Sequence, residues 1–171
     1  PADGADAGED EVTGAEAARL ARKVLDELLE NREELVRSAG REAAEWAIQN
    51  ARVVSQCYRM LSRGMARGLN VRDQSMADNV EWILENNPGA KIVLWAHNGH
   101  VARQENWMGK FLEEKFPGDE MFVLGFATSQ GEYTAMSSAG KGLRQDLKLL
   151  PPPEDSVEAI LSRAGAANHI I

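Results

Sequence analysis

The chain has 171 residues, 43% of them hydrophobic and 27% charged, which is ordinary usage for one folded domain with a real core. A formal net charge of -8 excludes the basic footprint needed to track a nucleic acid backbone or an anionic membrane surface, so neither partner is expected. A single cysteine, Cys57, excludes an internal disulfide, and no CxxC or Cys/His cluster suggests structural zinc, so a reducing compartment, the cytoplasm, is expected.

No stretch approaches the roughly 20 apolar residues of a membrane-spanning helix. The opening PADGADAGEDEV is acidic and small rather than basic then apolar, unlike a signal peptide. A chain that starts on Pro1 rather than Met is expected to be cut from something longer or trimmed by processing. Residues 1–12 lack the apolar content to offset their ordering entropy and are expected to form a disordered tail.

Thr13 and Glu16 have capping-box spacing, and Ala17, Leu20, Ala21, Val24, Leu25, Leu28 and Leu29 then recur at helical intervals, predicting a helix to about Arg37. Gly40 punctuates. A second helix is predicted from about Arg41 to Leu61, with Trp46, Ala47, Val53, Val54, Cys57, Tyr58 and Leu61 on a broad stripe and Gly64 and Gly68 ending it. Together they predict an antiparallel helical hairpin over 13–66. A third helix is predicted to begin near Asp73, whose charge suits a helix N-terminus. Met76, Val80, Ile83 and Leu84 form its buried face, and Asn87-Pro88-Gly89 ends it.

Residues 92–96 form an unbroken apolar run, read as a short strand buried on both faces, as in a parallel sheet. A helix through Trp107, Met108, Phe111, Leu112 and Phe116 follows, stopped by Pro117-Gly118, and residues 121–128 read as a second strand. Strand, helix and strand in that order predict a right-handed βαβ unit. Residues 132–136 and 143–150 add antiparallel strands, Pro151-Pro152-Pro153 is a stiff connector, and Asp155 or Ser156 caps a short last helix. The expected fold class is therefore α/β, a mixed and mainly parallel sheet with flanking helices and an N-terminal helical hairpin, with 67–171 as the α/β core.

The chemistry gathers where the apolar run stops, at His97, Asn98, Gly99 and His100. In open α/β sheets ligands bind beyond the carboxyl ends of the strands, where these side chains would fall. Imidazoles there can move a proton or hydrogen-bond an oxygen that gains charge, the demands of cleaving an ester or amide. The competing reading is two satisfied polar groups at a loop. A metal-dependent hydrolase using His97 and His100 as ligands is an alternative, but zinc needs further ligands that the segment does not offer, so no metal or cofactor is expected. Glu132 reads as an exposed strand residue, and Trp46, Trp82, Trp95 and Trp107 fit the core. His169 carries no assignment.

The segment VLWAHNGHVAR, with the preceding VRDQSMADNVEWIL and the following FVLGFATSQGEYTA, resembles the erythromycin esterase family, over roughly residues 31–165. The resemblance implies an α/β core with an attached helical region. It also implies metal-independent hydrolysis of a small-molecule ester or macrolactone, the basis of macrolide antibiotic resistance. The family's active-site histidines map onto His97 and His100. Arg72 and Asp73 match its RD block, and Asn98 and Arg103 are further candidates for substrate binding, though a turn, a helix dipole or simple surface exposure would also explain these four residues. Family members are longer, and their water-activating histidine lies in a portion absent here. The expectation is a segment that is inactive alone, in contact with the missing parts of its parent chain, with His97 and His100 supporting the developing negative charge. A third alternative is a noncatalytic assembly module, suggested by the wide apolar stripe of residues 46–61.

Overall fold

The computed structural model describes residues 14–137 and 142–164, which divide into two compact units, residues 14–123 and 124–164. The first is helical. α1 (Gly14–Glu30) and α2 (Arg32–Ala39) both pack on α3 (Arg41–Ser62), burying Ala21 and Leu25 of α1 and Ala44 and Ile48 of α3. The single helix expected up to Arg37 is interrupted at Asn31, whose side-chain Nδ2 donates to the Glu27 carbonyl at 2.7 Å. Asparagine offers the backbone such an alternative bond, which makes it a poor helix interior residue. Gly40, at φ 87°, turns the chain from α2 into α3, a conformation that a residue with a Cβ resists. The stripe on α3 is only partly covered, and Trp46, Val54 and Leu61 stay exposed.

α4 (Gly64–Glu85) follows α3 with Arg63 alone between them. It starts nine residues earlier than the position near Asp73 expected from sequence: Gly64, at φ 71°, marks the break after α3 as expected, but the next helix begins at once and Gly68 does not interrupt it. Gly68 lies inside α4, and a Cβ there would sit 2.8 Å from the Met60 carbonyl oxygen of α3, so its lack of a side chain permits the tight reversal. Asp73 is thus a mid-helix residue and owes nothing to the dipole of a first turn. An amide ladder ties the two helices: Gln49 Nε2 donates to Asn79 Oδ1 at 2.8 Å and Asn79 Nδ2 to Gln56 Oε1 at 3.1 Å.

The core of this unit is Ala77 and Val80 of α4 against Met108 and Leu112 of α6 (Met108–Lys115), with Leu94, Val101, Phe111, Phe116 and Met121 packed around them. Between α4 and α6 lies α5 (Asn98–Val101), one turn long. α5 and α6 approach so closely that a Cβ on Gly109 would sit 2.2 Å from the Val101 carbonyl oxygen.

The unit of residues 124–164 contains β1 (Glu132–Met136) and β2 (Leu143–Lys148), an antiparallel pair with Glu132 opposite Lys148 and Met136 opposite Leu143. From Tyr133 to Ala135 the partner strand advances from Leu147 to Arg144, one residue more, which makes a bulge. Asp146 takes up the extra residue at φ 55°, a left-handed conformation that aspartate tolerates better than most residues. α7 (Val157–Arg163) is capped by Ser156, whose hydroxyl accepts from the Ala159 N–H at 3.2 Å.

The expected fold class is corrected by this architecture. Among the described residues the sheet has two antiparallel strands, β1 and β2, and no parallel pair, so the protein is mainly helical rather than α/β with a mainly parallel sheet. Residues 92–96 and 121–128 join no ladder. In the first run Leu94 turns toward the core while Val93 and Trp95 are 91% and 87% exposed, so burial on both faces does not hold either. An apolar run records suitability for burial, whereas a strand also needs a second backbone in register, and among the described residues neither run enters such a ladder. The expected tail over 1–12 and His169 lie outside the described residues.

Candidate active site

His97 ends the segment after residues 92–96 and caps α5. Its φ and ψ of -60° and 145° are extended, and its Nδ1 accepts a hydrogen bond from the Gly99 N–H at 3.0 Å. A ring nitrogen thus does what Ser or Asp does at most helix starts. The His97 carbonyl accepts from the His100 N–H at 2.9 Å, closing the single turn that carries His100. Gly99 fits between His97 and Trp107, and a Cβ there would lie 3.2 Å from His97 Nδ1.

His100 is held at both ring nitrogens by consecutive residues of α4. Its Nδ1 lies 2.7 Å from Asp73 Oδ1, and its Nε2 lies 3.0 Å from Arg72 Nη1. The ring stands edge-on to Trp107 with centroids 5.8 Å apart. Asp73 is 1% exposed, the most completely buried large side chain among the described residues, and its Oδ1 also accepts the Met108 N–H at 3.0 Å. A buried carboxylate is tolerated where charge-assisted hydrogen bonds replace water, as the imidazole and the backbone N–H do here. Asp73 thereby ties α4 to α5 and to the start of α6.

These partners fix donors and acceptors. A guanidinium only donates, so His100 Nε2 accepts from Arg72, and the proton of the neutral ring sits on Nδ1, facing Asp73. In His97 the assignment is reversed: Nδ1 accepts from Gly99, so the proton of the neutral ring sits on Nε2. Two imidazoles three residues apart therefore have opposite polarity at Nε2: that of His97 is a donor, and that of His100 is an acceptor held by Arg72.

The structure brings Arg72, Asp73 and His100 together and sets His97 at the head of the same turn, with Asn98 as the first residue of α5. Arg103 is engaged elsewhere, with Glu113 at 3.2 Å and the Met121 carbonyl at 3.3 Å. Glu132 lies in β1, exposed, opposite Lys148. Trp107, read from sequence as core, is the aromatic neighbour of His100, and the backbone N–H of Met108 is a partner that no side-chain pattern announces. His97 is exposed and His100 half-buried at 19%. A cavity of about 890 Å³ lies apart from them, between Trp46 and Ile48 of α3, Trp82 of α4 and Arg32, Arg41 and Arg52. No cluster of three or more His, Cys, Asp or Glu able to hold a metal occurs among the described residues. No helix is long and apolar enough to cross a membrane among them.

A Bacillus subtilis (strain 168) protein named "Putative hydrolase YbfO" is 29% identical over 107 residues, an alignment covering 55% of this chain and 23% of that protein. The chain therefore spans about a quarter of the length of this curated relative. No solved structure matches. The family model for erythromycin esterase matches residues 2–171, and the chain belongs to that family.

Proposed function

We propose that the protein hydrolyses a carboxylic ester, open-chain or in a lactone ring, by attack of water at the corner formed by His97, His100 and Asp73. Family membership and the likeness to a protein named as a hydrolase support a hydrolase of the erythromycin esterase type. The observation that carries the finer reading is the opposite polarity of the two imidazoles. As water adds to the ester carbonyl, a C–O bond forms and the water proton passes to His100 Nε2. The carbonyl oxygen takes up negative charge and accepts from His97 Nε2–H. The tetrahedral intermediate then expels the alkoxide, which recovers the proton from His100, leaving an acid and an alcohol. Asp73 orients the ring and balances its transient charge, the part a buried aspartate plays beside a catalytic histidine.

The family resemblance located the water-activating base outside this chain, and the Asp73–His100 pair offers a candidate within it. The metal-dependent alternative has less support: His97 Nδ1 is taken by Gly99 and His100 Nε2 faces a cation. The test is hydrolysis by the full-length protein of a panel of aryl esters and macrolactones, read by mass spectrometry as the gain of one water on ring opening. His100→Gln is expected to lower kcat by about 1,000-fold and His97→Gln by about 100-fold. Full activity in His100→Gln removes that ring from the mechanism.

A further inference from the structure

Resting on the esterase reading, we infer that Arg72 has two roles: it holds His100 Nε2 as an acceptor, and its unused N–H groups bind the ester carbonyl oxygen as that oxygen gains charge. His100 is clamped asymmetrically. Its inner nitrogen meets Asp73, 1% exposed and fixed by a second bond to the Met108 N–H, while its outer nitrogen meets Arg72, which is exposed. Successive residues of a helix point about 100° apart, so one ring laid against α4 can touch both, one inward and one outward.

Arg72 differs from the arginines that brace the fold. Arg32 is tied to Glu45, and Arg103 to Glu113 and the Met121 carbonyl. Among the described residues no carboxylate pairs with Arg72, and its hydrogen bond goes to the ring nitrogen. Four of its five N–H groups are thus free to bind an anion. A neutral ring nitrogen is a weaker acceptor for a guanidinium than a carboxyl oxygen gaining charge, and an oxyanion can take two parallel N–H bonds at once. An ester carbonyl oxygen within reach is a second acceptor for the unused N–H groups of Arg72, and as water attacks and that oxygen gains charge the fork shifts onto it while the His100 lone pair takes the water proton. The ligand class that this corner binds is an oxyanion, a carboxylate or its tetrahedral analogue.

The probe is phenylphosphonate, a tetrahedral stand-in for the attacked ester. Its binding to the 171-residue chain is followed through the ¹⁵N resonance of His100 Nε2 by NMR. In the unsubstituted chain the probe shifts that resonance. Arg72→Met shifts it without any probe and weakens phosphonate binding about tenfold or more, and Arg72→Lys, which keeps the charge but not the fork, lies between. In the full-length protein Arg72→Met lowers kcat by about 10- to 100-fold with a smaller change in KM, and added guanidinium restores part of the rate. An Arg72→Met variant with an unaltered Nε2 resonance and undiminished phosphonate binding overturns the inference, even if esters are hydrolysed. If no ester is hydrolysed while Arg72→Met still moves the resonance and loses the phosphonate, the assignment of Arg72 stands and the esterase reading falls.

Discussion

The helical unit of residues 14–123 and the unit of residues 124–164 hold themselves together in different ways. In the first, polar side chains reach across long stretches of sequence: Asp73 bonds to His100 and Met108, 27 and 35 positions away, Lys115 to Glu81 across 34, and Gln49 to Asn79 across 30. In the second, β1 and β2 bond to each other with side chains that are mostly exposed, and Ala159 of α7 is its buried hydrophobic residue among those described. Distant, buried partners hold the His100 ring, whereas the His97 ring is held by its neighbour Gly99 alone. The corner of α4, α5 and α6 is where the proposed chemistry is placed.

The most damaging change to that corner is Asp73→Ala. It leaves the Met108 N–H without its acceptor and frees His100 Nδ1, at a cost of about 3 kcal/mol. Asp73→Asn keeps the shape and costs about 1–2 kcal/mol, but an amide can present a donor to Nδ1 and move the ring proton to Nε2. It is expected to lower kcat by about 1,000-fold or more, because the tautomer is wrong. Denaturant titration for the first effect and ester turnover for the second check these. An Asp73→Asn protein with unaltered turnover would break the link between burial and chemistry.

Much of this corner was legible in sequence, and some was not, for identifiable reasons. The stop of an apolar run at His97 singles out the turn that the structure joins to Arg72 and Asp73, and the bounds of α3, of β1 and of the Ser156 cap follow from periodicity and turn chemistry, which are local. The parallel strands over 92–96 and 121–128 were not delivered, because pairing depends on backbones elsewhere. Asp73 was the sharpest loss. Reading the stretch from Gly64 through Gly68 as a break, rather than as the first turns of α4, puts Asp73 at an N-terminus, where a dipole explains it away. Once α4 begins at Gly64, the same carboxylate becomes a buried mid-helix charge that demands a partner. The partner's identity was visible in the two histidines, but the register that joins Asp73 to His100 rather than His97 is a tertiary fact.

A smaller effect is expected at Lys115, which joins α6 to Asp78 and Glu81 of α4 at 3.1 and 2.5 Å. The bond to Glu81, and behind it Asp78, holds the Lys115 ammonium above the ordinary lysine value of about 10.5, against a lowering by partial burial. A group whose folded value is raised contributes fully below its unfolded value, and that contribution is lost as pH climbs through the raised one. Because all three side chains are partly exposed, the bridge is worth about 0.5–1 kcal/mol. Lys115→Met is expected to lower stability by that amount at neutral pH and to flatten the alkaline end of a stability profile. An unchanged alkaline slope would mean that the core beneath, not the ion pair, joins the two helices.

The smallest effect is expected in the hairpin. Leu143 of β2 is 67% exposed and faces Met136 of β1, 68% exposed, so a polar residue there removes little buried surface. Threonine, branched at Cβ, also suits a strand. Leu143→Thr should change stability by no more than about 0.5 kcal/mol and leave ester turnover untouched. The measurement is a thermal or denaturant midpoint beside a turnover assay. A loss as large as that of Asp73→Ala would show that something covers this apolar pair in solution, and the hairpin would then be part of a buried interface rather than a locally bonded ribbon.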